Sequence, residues 1–273
     1  MDAQTRRAQA FKALHEREGA FVIPNPWDAG SAKMLASLGF EALATTSAGH
    51  AFSLGRPDGA LGLEDTLANV RAIVAATDLP VAVDLENGFA DAPDDCARNL
   101  LRAAEAGAVG GSIEDATGRE DSPIYCFEHA VARVKAAADA VRSLPYPFLL
   151  TARAENFLHG NPDLDDTIRR LKAFADAGAD VLYAPGLSSA EQVLAVVRAV
   201  APKPVNVLMS GALDLTVTQL SELGVKRISV GSALALAAYG EFFRAAEEIQ
   251  QQGTFTFTCR SMPFKQANQL FKG

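Results

Sequence analysis

The chain has 273 residues, of which 49% are hydrophobic, with 33 acidic against 25 basic residues and a formal net charge of -8. That length supplies core for one large α/β domain or two small ones. The negative balance argues against nucleic acid or an anionic membrane surface as the main partner, so any anionic substrate must be held by local groups.

The polar start, Met1 to Arg7, reads as neither a signal peptide nor a membrane span. It leads into an expected helix over 5–18. Eight pairs of a short apolar run and a longer Ala/Leu-rich stretch follow. The expected strands are 21–24, 42–46, 81–85, 110–113, 148–152, 181–184, 205–208 and 227–230. The helices between and after them are expected over 31–38, 63–76, 92–106, 128–144, 165–177, 190–200, 215–223 and 233–251. Several of these helices run directly into Gly, as in Glu105-Ala106-Gly107, Asp176-Ala177-Gly178 and Glu222-Leu223-Gly224, which reads as a left-handed cap followed by a strand. The alternation predicts a parallel sheet with helical crossovers. Eight repeats in this length predict a closed (β/α)8 TIM-type barrel spanning 1–273, with an N-terminal extra helix over 1–20 and a C-terminal extension over 254–273.

The first strand is followed by no G-x-G-x-x-G turn, which weakens a dinucleotide-binding reading. Segments 46–62 and 116–127 are long for barrel loops and read as a lid or binding segments. Cys96, Cys126 and Cys259 form neither a metal-binding pair nor a disulfide framework, which fits a reducing, cytoplasmic setting. In the extension, Phe255, Phe257, Met262, Phe264, Leu270 and Phe271 need a covering surface, and a neighbouring subunit is the expected one.

The chemistry concentrates at two strand ends. Val81-Ala82-Val83-Asp84-Leu85-Glu86 has Asp91 just beyond it, and Ile113-Glu114-Asp115 closes the next strand. Carboxylates ending buried strands are costly unless paired. Side by side at the C-terminal face of a barrel they would form a hard, oxygen-rich site suited to Mg²⁺, or Mn²⁺ in its place. The alternative is a solvated acidic rim with no metal.

In chain order, Asn25-Pro26-Trp27-Asp28-Ala29-Gly30, Thr45-Thr46-Ser47-Ala48-Gly49, Gly55-Arg56-Pro57-Asp58-Gly59, Asp84-Leu85-Glu86-Asn87-Gly88-Phe89, Ile113-Glu114-Asp115 and Ala152-Arg153-Ala154-Glu155-Asn156 resemble the isocitrate lyase and phosphoenolpyruvate mutase superfamily over most of the chain. The resemblance implies a metal site of Asp84, Glu86 and Glu114, with Glu86 standing where the family usually has a second aspartate. It implies that Ser47 and the backbone N–H groups of Ala48 and Gly49 hold a substrate carboxylate, and that Arg153 contacts an anionic group. It places Asp58 near the substrate and the metal waters, and adds Asp84 and Asn206 to the substrate contacts. Asp58, Arg153 and Glu114 are the implied catalytic set. Tyr183, Trp27 and His159 are lesser candidates, Trp27 as pocket wall and His159 as a surface-loop residue.

The loop after the fourth strand departs from the family's better-known activities. It reads Ala116-Thr117-Gly118-Arg119-Glu120-Asp121-Ser122-Pro123-Ile124-Tyr125-Cys126 and lacks the Lys-x-Cys-Gly-His type motif of isocitrate and methylisocitrate lyases. Cys126 falls too late to replace it. Glu120 and Ser122 stand where a phosphonate mutase carries Lys and Asn, and Arg119 could supply a cation only if the loop shifts by one residue. The expectation is therefore a Mg²⁺-dependent enzyme on a small 2-oxo or 2-hydroxy acid, acting through an enolate as a carbon–carbon lyase, decarboxylase or hydrolase. The competing readings are a barrel that binds a 2-oxo dicarboxylate without turnover and a phosphonate P–C mutase or hydrolase. A Schiff-base aldolase is disfavoured because no expected strand carries a lysine in its body or at its C-terminal end. The resemblance also implies a homo-oligomer, dimer or tetramer, with swapped terminal helices.

Overall fold

Alternation of β-branched and small apolar runs with capped helices builds the observed architecture. The computed structural model describes residues 2–211 and 213–272. In chain order the elements are α1 (Ala3–Glu16), β1 (Phe21–Ile23), α2 (Ala29–Ser37), β2 (Leu43–Ala44), α3 (Ser47–Ser53), α4 (Leu63–Ala76), β3 (Val81–Asp84), α5 (Pro93–Glu105), β4 (Gly110–Glu114), α6 (Phe127–Val141), β5 (Leu149–Arg153), α7 (Leu164–Ala177), β6 (Val181–Tyr183), α8 (Ala190–Val200), β7 (Val205–Leu208), α9 (Val217–Glu222), β8 (Arg227–Ser229), α10 (Ala233–Gln252) and α11 (Phe264–Phe271). A short 3-10 turn, Thr256–Arg260, precedes α11.

The eight strands form one all-parallel sheet in the order β1-β8-β7-β6-β5-β4-β3-β2. This is the expected (β/α)8 barrel. Its one seam lies between β1 and β2, where the Ala44 N–H donates to Pro24 O at 3.1 Å. Pro24 has no N–H to return. Asn25 bridges the gap instead. Its Nδ2 donates to Thr45 O at 3.1 Å, and its Oδ1 accepts from the N–H groups of Val230 and Gly231, each at 2.9 Å.

Side chains facing outward from the strands, such as Val83, Leu85, Ile113, Leu150, Leu182, Val207 and Ile228, pack against the helical layer in one large core. The N-terminal helix has a different role. Phe11 and Leu14 of α1 join Phe21, Ile23, Ala42, Ala82, Val109 and Leu149 in a second cluster that closes the N-terminal end of the barrel. Gly110 makes room for it, since a Cβ there would lie 2.7 Å from Phe11 Cε1 and 3.0 Å from Leu149 O.

Segment 46–62 differs from the expected loop. It opens with α3, whose N-cap Thr46 accepts from the Gly49 N–H. Segment 116–127 is also more ordered than a free loop. It folds back on itself through an antiparallel bridge between Ala116 and Ile124. Arg119 and the Tyr125 hydroxyl both bind Asp91, which pins the fold to the turn after β3. The extension carries α11, which rests on α2 near Gly30. No described helix is long and apolar enough to cross a membrane.

Candidate active site

The strand ends converge on a cavity of about 240 Å³ at the C-terminal mouth of the barrel. Asp84 ends β3 opposite Ser112, and Glu114 at the end of β4 stands opposite Arg153 at the end of β5, so that last pair of ladder neighbours carries opposite charges. The Arg153 guanidinium uses each nitrogen on a different carboxylate. Nη1 donates to Asp84 Oδ1 at 3.0 Å, Nη2 lies 3.0 Å from Glu114 Oε2, and Nε donates to Glu155 Oε1 at 2.7 Å. Its Cζ also stands 5.2 Å from the centre of the Tyr183 ring. Burial alone would lower its pKa, but the three carboxylates overcome that and raise it well above the ordinary value.

Asp84 is the hinge of the site. Its Oδ2 accepts from the N–H and Oγ of Ser47 at 3.3 and 3.1 Å, and its own N–H donates to Thr45 Oγ1 at 2.9 Å. Beyond it the chain turns sharply. Glu86 sits at φ 50, a left-handed conformation that strains a residue with a Cβ. Gly88, at φ 74, needs its missing Cβ, because a side chain there would collide with Cys96 Sγ. Buried Arg133 of α6 clasps this turn from behind through the carbonyls of Asn87, Ala90 and Asp91.

The acids outnumber the cations. Burial first, then the charges of Asp84 and Asp58, push the Glu86 carboxyl up to about 7. Burial, then Asp84, also raises Asp58, which lies at the mouth. Burial raises Glu114 well above the carboxylate range, although Arg153 opposes it. Among the described residues, Arg153 is the cation that faces Asp84, Glu86, Asp58, Glu114 and Glu155.

The structure gathers Asp58, Asp84, Ser47, Ala48, Arg153, Tyr183 and Asn206 on the cavity wall. Glu86 and Glu114 stand behind that wall beside Asp84 and Arg153. Gly49 is not brought to the cavity. Its N–H is taken by Thr46, and a Cβ on it would crowd Thr46, Trp27 and Ala235 at 2.7, 3.2 and 3.3 Å. Trp27 therefore packs beneath α3 and does not line the cavity. His159 is exposed on its loop, as expected. Cys126 is an exposed thiol at the start of α6, and no residue of 116–127 lines the cavity.

Two acids named with the cluster face elsewhere. Asp91 is exposed and paired with Arg119 at 2.8 Å. Asp115 points to the opposite side of β4 from Glu114, where it binds Arg170 at 3.0 Å and accepts the Glu155 N–H at 2.8 Å. Burial raises it to about 6, and those two partners oppose the shift. Its role is to fix the turn that presents Glu155 to Arg153.

A sequence profile, that of the phosphoenolpyruvate phosphomutase family, matches residues 11–250. The chain belongs to the isocitrate lyase and phosphoenolpyruvate mutase superfamily. Among its relatives, the 2-methylisocitrate lyase of Escherichia coli is 30% identical over 97% of this chain and 90% of the relative. An oxaloacetate decarboxylase of Paraburkholderia xenovorans is 30% identical over 84% and 76%. A crystal structure from Burkholderia cenocepacia, described as a candidate lyase/mutase, is 59% identical, covers 100% of this chain and 98% of that one, and superposes with a TM-score of 0.97. Carbon–carbon lyases are thus among the relatives of this superfamily member.

Enzymes of this superfamily are generally magnesium-dependent, so the donor set bears on whether the cation fits. Among the described residues, no three His, Cys, Asp or Glu side chains are grouped so as to hold a metal ion by themselves. Asp84 alone of the three expected ligands faces the cavity, with Asp58 across the mouth. Mg²⁺ keeps several waters and needs few direct carboxylates. Asp84 and Asp58 facing the cavity, with the carboxyls of Glu86 and Glu114 behind them, are hard oxygen donors that fit such a water-rich ion.

Sequence reasoning missed the cavity floor. Arg227, Ser229, Thr151 and Ser112 line it along with Asn206. The available signal was period-two alternation in Arg227-Ile228-Ser229, which sends Arg227 and Ser229 to the face opposite the apolar Ile228.

Proposed function

We propose that this chain is a Mg²⁺-dependent enzyme acting on a small 2-oxo or 2-hydroxy carboxylic acid, oxaloacetate-like or 2-oxoglutarate-like, as a carbon–carbon lyase, a decarboxylase or a hydrolase. The observation that carries this reading is the cluster of carboxylates, Asp58, Asp84, Glu86 and Glu114, around the guanidinium of Arg153 at the barrel mouth. The names of the relatives that cleave 2-methylisocitrate and decarboxylate oxaloacetate support it.

When bound beside Asp84, Mg²⁺ would neutralise negative charge that develops on the C2 oxygen as an enolate forms. Glu86 and Glu114 would hold its waters. The N-terminal turn of α3 receives the C1 carboxylate, Ser47 turning its hydroxyl and N–H from Asp84 to the substrate with Ala48 beside it. Arg153 adds paired donors to the anionic oxygens while Glu114 and Glu155 keep its plane fixed. Asn206 contacts the substrate from below. For an oxaloacetate-like acid, the C3–C4 bond breaks, its electron pair stays on C3 as the enolate, and carbon dioxide departs. For a 2-hydroxy acid, the hydroxyl proton passes to a carboxylate at the mouth such as Asp58, the C2–O bond becomes a carbonyl as C2–C3 breaks, and the electron pair is carried as an enolate onto the carboxylate of the second fragment, which then takes up a proton.

The same reading includes a homo-oligomer in the cytoplasm. Leu236, Phe242 and Phe243 of α10 and Phe264 of α11 are all exposed, Phe264 to 81%, and a second copy would cover them.

Thermal melting with oxaloacetate, malate, citramalate, 2-oxoglutarate and phosphonopyruvate, each with Mg²⁺ or EDTA, tests the reading. A ligand that binds only the native state raises its melting temperature. The expected result is a Mg²⁺-dependent rise with at least one carboxylic acid. A rise with phosphonopyruvate alone would favour phosphonate chemistry, and no rise with Mg²⁺ or any acid would sink the metal site.

A further inference from the structure

We infer that Arg227 makes the cavity floor a second anion-binding point, so that this site selects an acid with an anionic group at each end. The inference rests on the carboxylic-acid reading above and names the residue that receives the substrate's second anionic group. Arg227 opens β8, at the end of the barrel opposite Arg153, which closes β5; both line the same cavity. Ile228 between Arg227 and Ser229 packs outward in the helical core, which leaves the guanidinium inside the barrel.

Arg227 is 6% exposed, yet its contacts are neutral. Nε donates to Asn206 Oδ1 at 2.8 Å and Nη2 to Thr151 Oγ1 at 2.9 Å. Asn206 is itself oriented by donating to Ser229 Oγ at 2.9 Å. Among the described residues no carboxylate forms an ion pair with Arg227, whereas buried Arg153 has three such partners and Arg170 has Asp115 and Asp166. Burial accordingly pushes Arg227 down to about 10, with only Tyr183 opposing.

Among the described residues, nothing beneath supplies the missing charge. α1 closes the barrel there with Phe11, Leu14 and His15. His15 is held neutral, pushed to about 3 by burial and then by Arg227 itself. A buried cation among neutral dipoles is costly, and an anion delivered through the cavity relieves that cost. A guanidinium fork suits a carboxylate in particular. A monocarboxylate anchored at Arg153 would leave Arg227 uncompensated, and sites built around a polar partner reject analogues that lack it.

The test is calorimetric titration, with Mg²⁺ present, of diacids beside monoacids of equal carbon number: oxalate and acetate, malonate and propionate, succinate and butyrate, glutarate and pentanoate. The wild type is expected to bind at least one diacid about tenfold or more tighter than its partner. Arg227→Met should bring that ratio to about threefold or less, and Arg227→Lys, which keeps charge without the fork, should retain an intermediate ratio. The wild-type ratio and the Lys variant decide the matter if the Met variant does not fold. Mg²⁺-dependent binding with equal affinity for both members of every pair would overturn the inference and leave the proposed function standing. A ratio unchanged in the variants would also overturn it. No binding of any acid to the wild type would overturn both.

Discussion

Arg153 meets Asp84, Glu114 and Glu155 through separate nitrogens, a geometry that lysine, with one point charge, cannot reproduce. Arg153→Lys should therefore lower kcat/KM by about 10²- to 10³-fold, the scale of losing a preorganised donor, with the circular dichroism spectrum unchanged. A loss of less than about threefold would contradict its placement in the site. Glu86 gives a pH prediction. Its folded pKa of about 7 lies above the ordinary 4.5, so between these values the folded state binds more protons than the unfolded chain. Stability of the metal-free protein should fall as pH rises through that window, and Glu86→Gln should remove part of the fall. Melting in EDTA at about pH 5 and about pH 8 checks this, and equal drops for wild type and variant would contradict it. At this scale the sequence was partly legible. Glu114 closes β4 and Asp115 follows it directly; Glu114 turns to Arg153 and Asp115 to Arg170. Asp84 and Glu86 do not continue that alternation, because the left-handed turn at Glu86 ends the strand. No local pattern announces that turn apart from Asn87-Gly88.

The elements were legible where capping chemistry is local. Gly107, Gly178 and Gly224 follow their helices at φ 103, 113 and 88, as the Ala-Gly and Leu-Gly phrases implied. α3 was not legible, because seven residues, most of them small, give no readable period and its start depends on Thr46 and on Asp84 from another strand. The plugging role of α1 was hidden for the same reason, since it rests on a long-range approach between Phe11 and Gly110. Gly110→Ala would force Phe11 or the β4–β5 ladder to shift. It should cost about 1–3 kcal/mol by denaturant unfolding, and an unchanged midpoint would show that α1 does not pack there as described.

At the scale of the whole molecule, the barrel and the exposed apolar faces belong to different levels of assembly. The barrel buries its own core, whereas α10 and α11 leave Phe242, Phe243 and Phe264 in contact with solvent at 73%, 63% and 81%. Light scattering at micromolar concentration should give a dimer or tetramer, and Phe243→Glu with Phe264→Glu should reduce its size; a wild-type monomer would contradict the oligomer. The tail's six apolar residues pointed to a covering surface in the sequence, and α2 supplies part of it beside Phe271. The most direct test of the central claim is ¹H NMR of oxaloacetate, malate, citramalate, 2-methylisocitrate and 2-oxoglutarate incubated with the purified protein, once with Mg²⁺ and once with EDTA. The account predicts that at least one acid loses a carbon–carbon bond with Mg²⁺ and is spared with EDTA. Cleavage of none, or equal cleavage in both, would contradict it.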